Sequence, residues 1–192
     1  PIGAKSTNEN VLLSFVVTPT DPDGTVPTMS SSTLPTGATY TLGSGTATFS
    51  WTPTFLQSGS YPVTFRATDG TLTDSEIVTI TVINVNQPPD QLPIGAKSTN
   101  ENVLLSFVVT ATDPDGTIPT MSSSTLPTGA TYTLGSGTAT FSWTPTFTQA
   151  GSYPVTFRAT DGALTDSEIV TITVINVNQP PDQLPIGAKS VN

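Results

Sequence analysis

The chain has 192 residues, 14 acidic and 5 basic side chains, a net charge of −9, and neither Cys nor His. That balance disfavours nucleic acid and anionic membrane surfaces, which are held by clustered Lys and Arg. The missing Cys and His remove disulfides, thiol and imidazole nucleophiles, and the usual zinc ligands.

Taken in chain order, the apolar residues recur with period two, the signature of half-buried strands. Leu13, Phe15 and Val17 alternate with Ser14, Val16 and Thr18. Asp21-Pro22-Asp23-Gly24, Leu34-Pro35-Thr36-Gly37 and Leu42-Gly43-Ser44-Gly45 are turn chemistry. Phe49 and Trp51 alternate with Thr48 and Ser50, and Tyr61, Val63, Phe65 and Ala67 with Pro62, Thr64 and Arg66. Asp69-Gly70 makes the next turn. Asp74-Ser75-Glu76 is then expected in a short, solvated loop before a last strand carrying Val78, Ile80 and Val82. No helical period competes. About seven short strands in one segment of this length predict an all-β, two-sheet sandwich, with Phe15, Trp51, Tyr61 and Phe65 inward.

The whole pattern then repeats. Pro1-Ile2-Gly3-Ala4-Lys5-Ser6 returns at 93–98 and again at 185–190, a period of 92 residues. Positions 1–92 and 93–184 differ at five places: Pro19/Ala111, Val26/Ile118, Leu56/Thr148, Ser58/Ala150 and Thr71/Ala163. Such a period suits an independent domain rather than a solenoid unit. The expected organisation is one repeat over 1–86, a second over 87–178, and a linker with the first strand of a third over 179–192. The chain opens inside a repeat and shows no signal peptide, so it reads as a fragment of a longer protein. Absent Cys and absent Asn-x-Ser/Thr acceptors lean towards a bacterial or archaeal source. No apolar run is long enough to span a bilayer.

Between repeats, Ile83 to Pro93 contains Pro88-Pro89, which fixes φ and stiffens the joint. The acidic turns of the second repeat, Asp113, Asp115 and Asp161, are expected at the end where this linker enters with Asn84, Asn86 and Asp90. Carboxylate, amide and carbonyl oxygens together suit a hard cation such as Ca²⁺. The same Asp-Pro-Asp-Gly is equally an ordinary turn, with Asp accepting backbone amides.

The runs Glu101-Asn102…Leu105-Ser106-Phe107…Ala111-Thr112-Asp113-Pro114-Asp115-Gly116, Leu126-Pro127-Thr128-Gly129-Ala130, Phe141-Ser142-Trp143-Thr144-Pro145, Gln149-Ala150-Gly151-Ser152-Tyr153 and Val174-Ile175-Asn176-Val177-Asn178 resemble the putative-Ig and dystroglycan-type cadherin-like repeats of bacterial surface proteins. The resemblance implies tandem Ig-like, cadherin-like Greek-key sandwiches. The more distant likeness to cadherins implies a Ca²⁺ joint in which Glu101 matches the early Glu, Asp113/Asp115 the Asp-x-Asp loop, and Asp161 the late Asp. The linker carries Asn and Gln where cadherins carry Asp, and no Asp-x-Glu segment lies between Phe49 and Tyr61, so one ion per joint is expected. Asp21, Asp23 and Asp69, and Asn176, Asn178 and Asp182, form incomplete versions of the same site.

The function expected from these features is a calcium-stiffened spacer or adhesion repeat of an extracellular surface protein. Its partners are neighbouring repeats, with another surface protein, a glycan or a second copy as further candidates. A carbohydrate- or self-binding module is the alternative. An enzyme is disfavoured, since Glu9, Asp74 and Glu76 are the acids beyond the turns and no His can activate Ser or Thr. Lys5 is expected to be a solvated lysine rather than a cross-linking one. Residues 185–192 are expected to be the first strand of the next repeat, available for strand addition to a neighbour.

Overall fold

The computed structural model describes residues 1–183 and 187; the expected strand at 185–192 therefore lies, but for Gly187, outside the described residues. All regular structure among the described residues is strand. The first repeat forms β1 (Lys5–Asn8), β2 (Leu13–Val17), β3 (Thr28–Ser31), β4 (Thr39–Leu42), β5 (Ala47–Trp51), β6 (Gly59–Thr68) and β7 (Thr73–Ile83). The linker adds β8 (Asp90–Gln91). The second repeat forms β9 (Lys97–Asn100), β10 (Leu105–Thr112), β11 (Thr120–Ser123), β12 (Thr131–Leu134), β13 (Thr138–Trp143), β14 (Gly151–Thr160) and β15 (Thr165–Ile175).

Each repeat is an Ig-like sandwich, as the period-two pattern predicts. In the first, the sheets run β1-β7-β6-β3 and β2-β5-β4; in the second, β9-β15-β14-β11 and β8-β10-β13-β12. The first strand of each repeat joins the last in parallel, with Lys5 opposite Ile80 and Asn8 opposite Ile83. All other ladders are antiparallel. Two compact units result, Pro1–Gln87 with Pro114–Gly116, and Pro88–Asp113 with Thr117–Asn192.

Alternation sets the core. Phe49, Trp51, Val63, Phe65, Val78, Ile80 and Val82 are buried in the first unit. Phe15 stacks on Phe49 at 5.0 Å between ring centroids, and Phe65 meets Phe49 edge-on at 6.0 Å. Edge-to-face pairing of this kind adds about 0.5–1.5 kcal/mol beyond area burial. Trp51 donates its indole N–H to Thr36 O at 3.2 Å. That carbonyl adjoins Gly37, whose φ of +86° closes the turn. Tyr61, half-buried at the start of β6, donates its hydroxyl to Gln57 O at 2.9 Å, the corner that ties an Ig-like loop to its strand. Trp143 and Tyr153 repeat both bonds.

Two local expectations change. Asp74-Ser75-Glu76 lies inside β7, because the β6–β7 hairpin pairs from Thr68 opposite Thr73 onward and leaves only a tight turn. Glu76 is not simply solvated: it accepts the amides of Ile2 and Gly3 at 2.7–2.9 Å and so anchors the chain leading into β1. Lys5 is not a free lysine either. Its Nζ donates to Ile2 O at 2.6 Å and lies 5.5 Å from the Phe15 ring centroid.

Candidate metal centre

The expected oxygen set is built by turns and by the linker. In the second unit Asp113 directly follows β10, and Asp161 follows β14. Asp161 accepts the amides of Ala163 and Leu164 through Oδ1, each at 2.6 Å, so its turn is self-capped. Asp90 pairs with Thr112, beside Asp113. The next amide, Gln91 N–H, donates to Asp166 Oδ2 at 2.9 Å, near the start of β15. The structure therefore brings Asp90, Asp113 and Asp161 to one end of this unit.

Glu101 is separated from that set. Its amide donates to Ile175 O at 3.1 Å, at the far end of β15 from Asp161. An eleven-residue strand intervenes, and at about 3.3 Å per residue it spans on the order of 30 Å. The physical reason is the parallel pairing of first and last strands. A Glu ending the first strand must sit where the chain leaves the repeat. Glu101 accordingly accepts Val177 N–H at 2.8 Å, beside Asn176 and Asn178.

The residue in the equivalent position beside Asn84 and Asn86 is Glu9. It is 2% exposed, and its Oε2 accepts Val85 N–H at 2.8 Å. Its Oε1 is buried with no hydrogen-bond partner. Within the same compact unit Asp115 Oδ2 accepts Gln87 N–H at 2.6 Å. Two carboxylates thus hold linker amides two residues apart, on one side of an extended chain. The signal that could have found Glu9 is topological: a Glu one residue past a strand that pairs in parallel with the last strand.

Of the incomplete sets, Asp21 is a self-contained turn, accepting Asp23 N–H at 2.8 Å and the Thr25 hydroxyl at 2.6 Å. Asp69 accepts the amides of Thr71 and Leu72, which hold its carboxyl below the ordinary carboxylate value. Asp182 is exposed. Among the described residues no three carboxylate, His or Cys side chains come close enough to hold a metal by themselves. A cation here would have to draw on amide and backbone oxygens. The donors present, all oxygen, fit Ca²⁺ in kind, and Glu9 Oε1 is a buried acceptor still to be satisfied.

Two stretches, residues 1–83 and 87–175, match the sequence model described as Putative Ig domain. Integrin beta-like protein E of Dictyostelium discoideum is 35% identical over 117 residues, 52% of this chain and 6% of that protein. The chain thus spans a small part of that relative. Among solved structures, extracellular cadherin domains 1–5 of protocadherin gamma B2 superpose with a TM-score of 0.58 at 15% identity, over 92% of this chain and 38% of that one. Domains A168–A170 of titin do so with a TM-score of 0.52 at 14% identity, over 93% and 65%. These likenesses establish the Ig-like and cadherin-like sandwich fold. No helix among the described residues is long and apolar enough to cross a membrane.

Proposed function

Because the chain belongs to the Putative Ig domain family through both of its repeats, we propose that it is a structural, adhesive stretch of an extracellular surface protein. The two sandwiches act as segments of a semi-rigid rod, and the linker with Pro88-Pro89 limits bending between them. The role is mechanical and carries no reaction. Absent Cys and N-glycosylation acceptors support a bacterial source, and the integrin beta-like relative supports an extracellular setting.

Calcium is the proposed stiffener of the joint. Glu9, Asn84, Asn86, Asp90, Asp113, Asp115 and Asp161 are its candidate ligands, with Glu9 taking the place expected of Glu101. The observation that carries this reading is the buried Glu9 Oε1 without a partner, since a buried carboxylate oxygen is costly unless bonded. When bound, the ion would neutralise acidic oxygens that otherwise repel one another. The chain's own residues hold the linker amides at Val85 and Gln87 in either case.

Calorimetric titration with Ca²⁺ tests it. Binding weaker than about 0.1 mM but saturable is expected, in the range of extracellular modules, and Glu9→Gln should weaken it at least tenfold. Identical melting and scattering curves with Ca²⁺ and with chelator would remove calcium from the proposal and leave the linker as the only stiffener.

A further inference from the structure

Charge is unevenly spread along each repeat. No side chain between Asp23 and Arg66 is charged, nor any between Asp115 and Arg158. Those stretches hold β3, β4 and β5 in the first unit and β11, β12 and β13 in the second. β2 is free of charge as well, so the whole β2-β5-β4 sheet carries none, in a chain of net charge −9. An unpaired sheet edge is normally guarded by Lys, by Pro or by a covering segment. β1 carries Lys5, and β8 lies along β10. β4 and β12 end their sheets with none of these guards, and among the described residues no strand pairs with their outer side.

The β4–β5 hairpin fixes which backbone groups face that edge. Gly43 N–H donates to Thr46 O at 2.7 Å and closes the turn. Hydrogen-bonded pairs alternate along an antiparallel ladder, so Thr41 with Thr48 and Thr39 with Ser50 exchange the inward bonds. The amides and carbonyls of Tyr40 and Leu42 therefore point outward. Gly135 N–H, donating to Thr138 O at 2.8 Å, imposes the same on Tyr132 and Leu134. Leu42 and Leu134 are 58% and 59% exposed. Val26 and Ile118, beside Gly45 and Gly137 at the hairpin tips, are both 68% exposed, so the exchange between repeats keeps an exposed aliphatic there. The edge of the opposite sheet is less suited, because β3 follows Pro27 and has no exposed apolar side chain.

We propose that β4 and β12 are self-association edges, each taking the same strand of a second copy of the chain in antiparallel register. Thr39–Leu42 and Thr131–Leu134 are identical, so either edge accepts either. With a two-fold axis at Thr41, Tyr40 and the partner's Leu42 exchange two backbone bonds, and Leu42 and the partner's Tyr40 exchange two more. Thr41 meets the partner's Thr41 as the close, non-hydrogen-bonded pair, at which Thr side chains interact. Opposed residues share a face, so the exposed Leu42 covers the half-buried ring of the partner's Tyr40. The contact is isologous and joins two sheets into one. Copies that repel through their acidic turns meet here where neither is charged, which favours a second copy as occupant. A four-residue edge falls below the roughly 1,200 Å² of stable interfaces, so each contact is weak and repeated edges add avidity. The inference rests on the adhesive reading above and names its partner. Both edges lie inside their repeats, so the site is independent of what precedes or follows the chain.

The test is sedimentation of the 192-residue chain at neutral pH, up to about 1 mM. Mass should rise reversibly, with half-association between about 10 μM and 1 mM, and rise further in salt, which screens like charges. Amide exchange at Tyr40, Leu42, Tyr132 and Leu134 should slow as concentration rises. Leu42→Lys combined with Leu134→Lys should weaken association about tenfold or more, although it lowers the net negative charge. Ile77→Lys combined with Ile169→Lys, equal in charge and placed at outward residues 68% and 70% exposed, should leave it unchanged. A chain that stays monomeric, association that survives the edge lysines, or exchange protection that appears elsewhere would each overturn the proposal. The exchange measurement uses the unsubstituted chain and does not depend on how the variants fold. Its failure would leave the rod and calcium reading standing, since that is read from scattering and melting with Ca²⁺ and with chelator.

Discussion

The two repeats differ at five of 92 positions, yet they do not settle identically. β2 runs for 5 residues and β10 for 8. Val109, Ala111 and Ala159 are 0, 4 and 0% exposed, whereas Val17, Pro19 and Ala67 are only half-buried. Where residues 88–92 cover the sheet edge, the strand extends and the core closes beneath it. In the first unit the corresponding strand stops at Val17. One sequence change contributes, because Pro19 cannot make the bond that Ala111 N–H gives to Gly137 O. The rest of the difference is tertiary, made by a covering segment acting on nearly identical residues.

Each repeat holds one Trp, so single-Trp backgrounds report each unit separately by fluorescence. The largest expected effect is Trp143→Ala, which removes the largest fully buried side chain of its unit and should cost that unit about 3–5 kcal/mol, while Trp51 reports an unchanged first unit. Ala111→Pro, which makes the second repeat resemble the first, should cost about 1–3 kcal/mol through the lost Gly137 bond and a shortened β10. Pro19→Ala should return less, because the new amide gains at most one backbone bond. Asp166→Ala should cost about 1 kcal/mol more than Asp74→Ala, the difference being the Gln91 bond. Denaturant midpoints of the Asp166→Ala and Asp74→Ala chains would measure it.

Smaller effects separate the repeats at single atoms. Tyr132 has its hydroxyl buried without a partner, and burial pushes its pKa up to about 12. Tyr40, its counterpart, donates to Met29 Sδ at 3.8 Å. Tyr132→Phe should therefore be neutral or stabilising by up to about 1 kcal/mol, and Tyr40→Phe no better than neutral. Acid should loosen the start of the first repeat. The amides of Gly3 and Ile2 hold Glu76 below its ordinary value of 4.5. A carboxylate with a lowered folded pKa stabilises fully above its ordinary value and loses that contribution as pH falls through the lowered one. The amide signals of Ile2 and Gly3 should shift below pH 4.5 and stay constant above pH 6.

The strands were legible in the sequence because each leaves a local mark. Leu13-Ser14-Phe15-Val16-Val17 and Ala47-Thr48-Phe49-Ser50-Trp51 alternate, and that pattern needs no partner to be read. The candidate site was legible only in its turns. Asp113 and Asp161 follow their strands as expected, and Asp90 joins them through the pairing of β8. Glu9 was invisible as a site residue because its partner, Val85, is 76 positions away, and only the parallel pairing of β1 with β7 brings the two together. Glu76 looked like a solvated loop acid because no local pattern announces bonds to residues more than 70 positions away.

Composition, period and alternation by themselves determined the fold class, the duplication and the exclusion of thiol and imidazole chemistry, since these depend on residue type and near neighbours. Tertiary structure alone decided which Glu faces which linker, and that β8 completes the second sandwich. Those outcomes depend on backbone groups meeting across long sequence separations, where identical side chains find different neighbours.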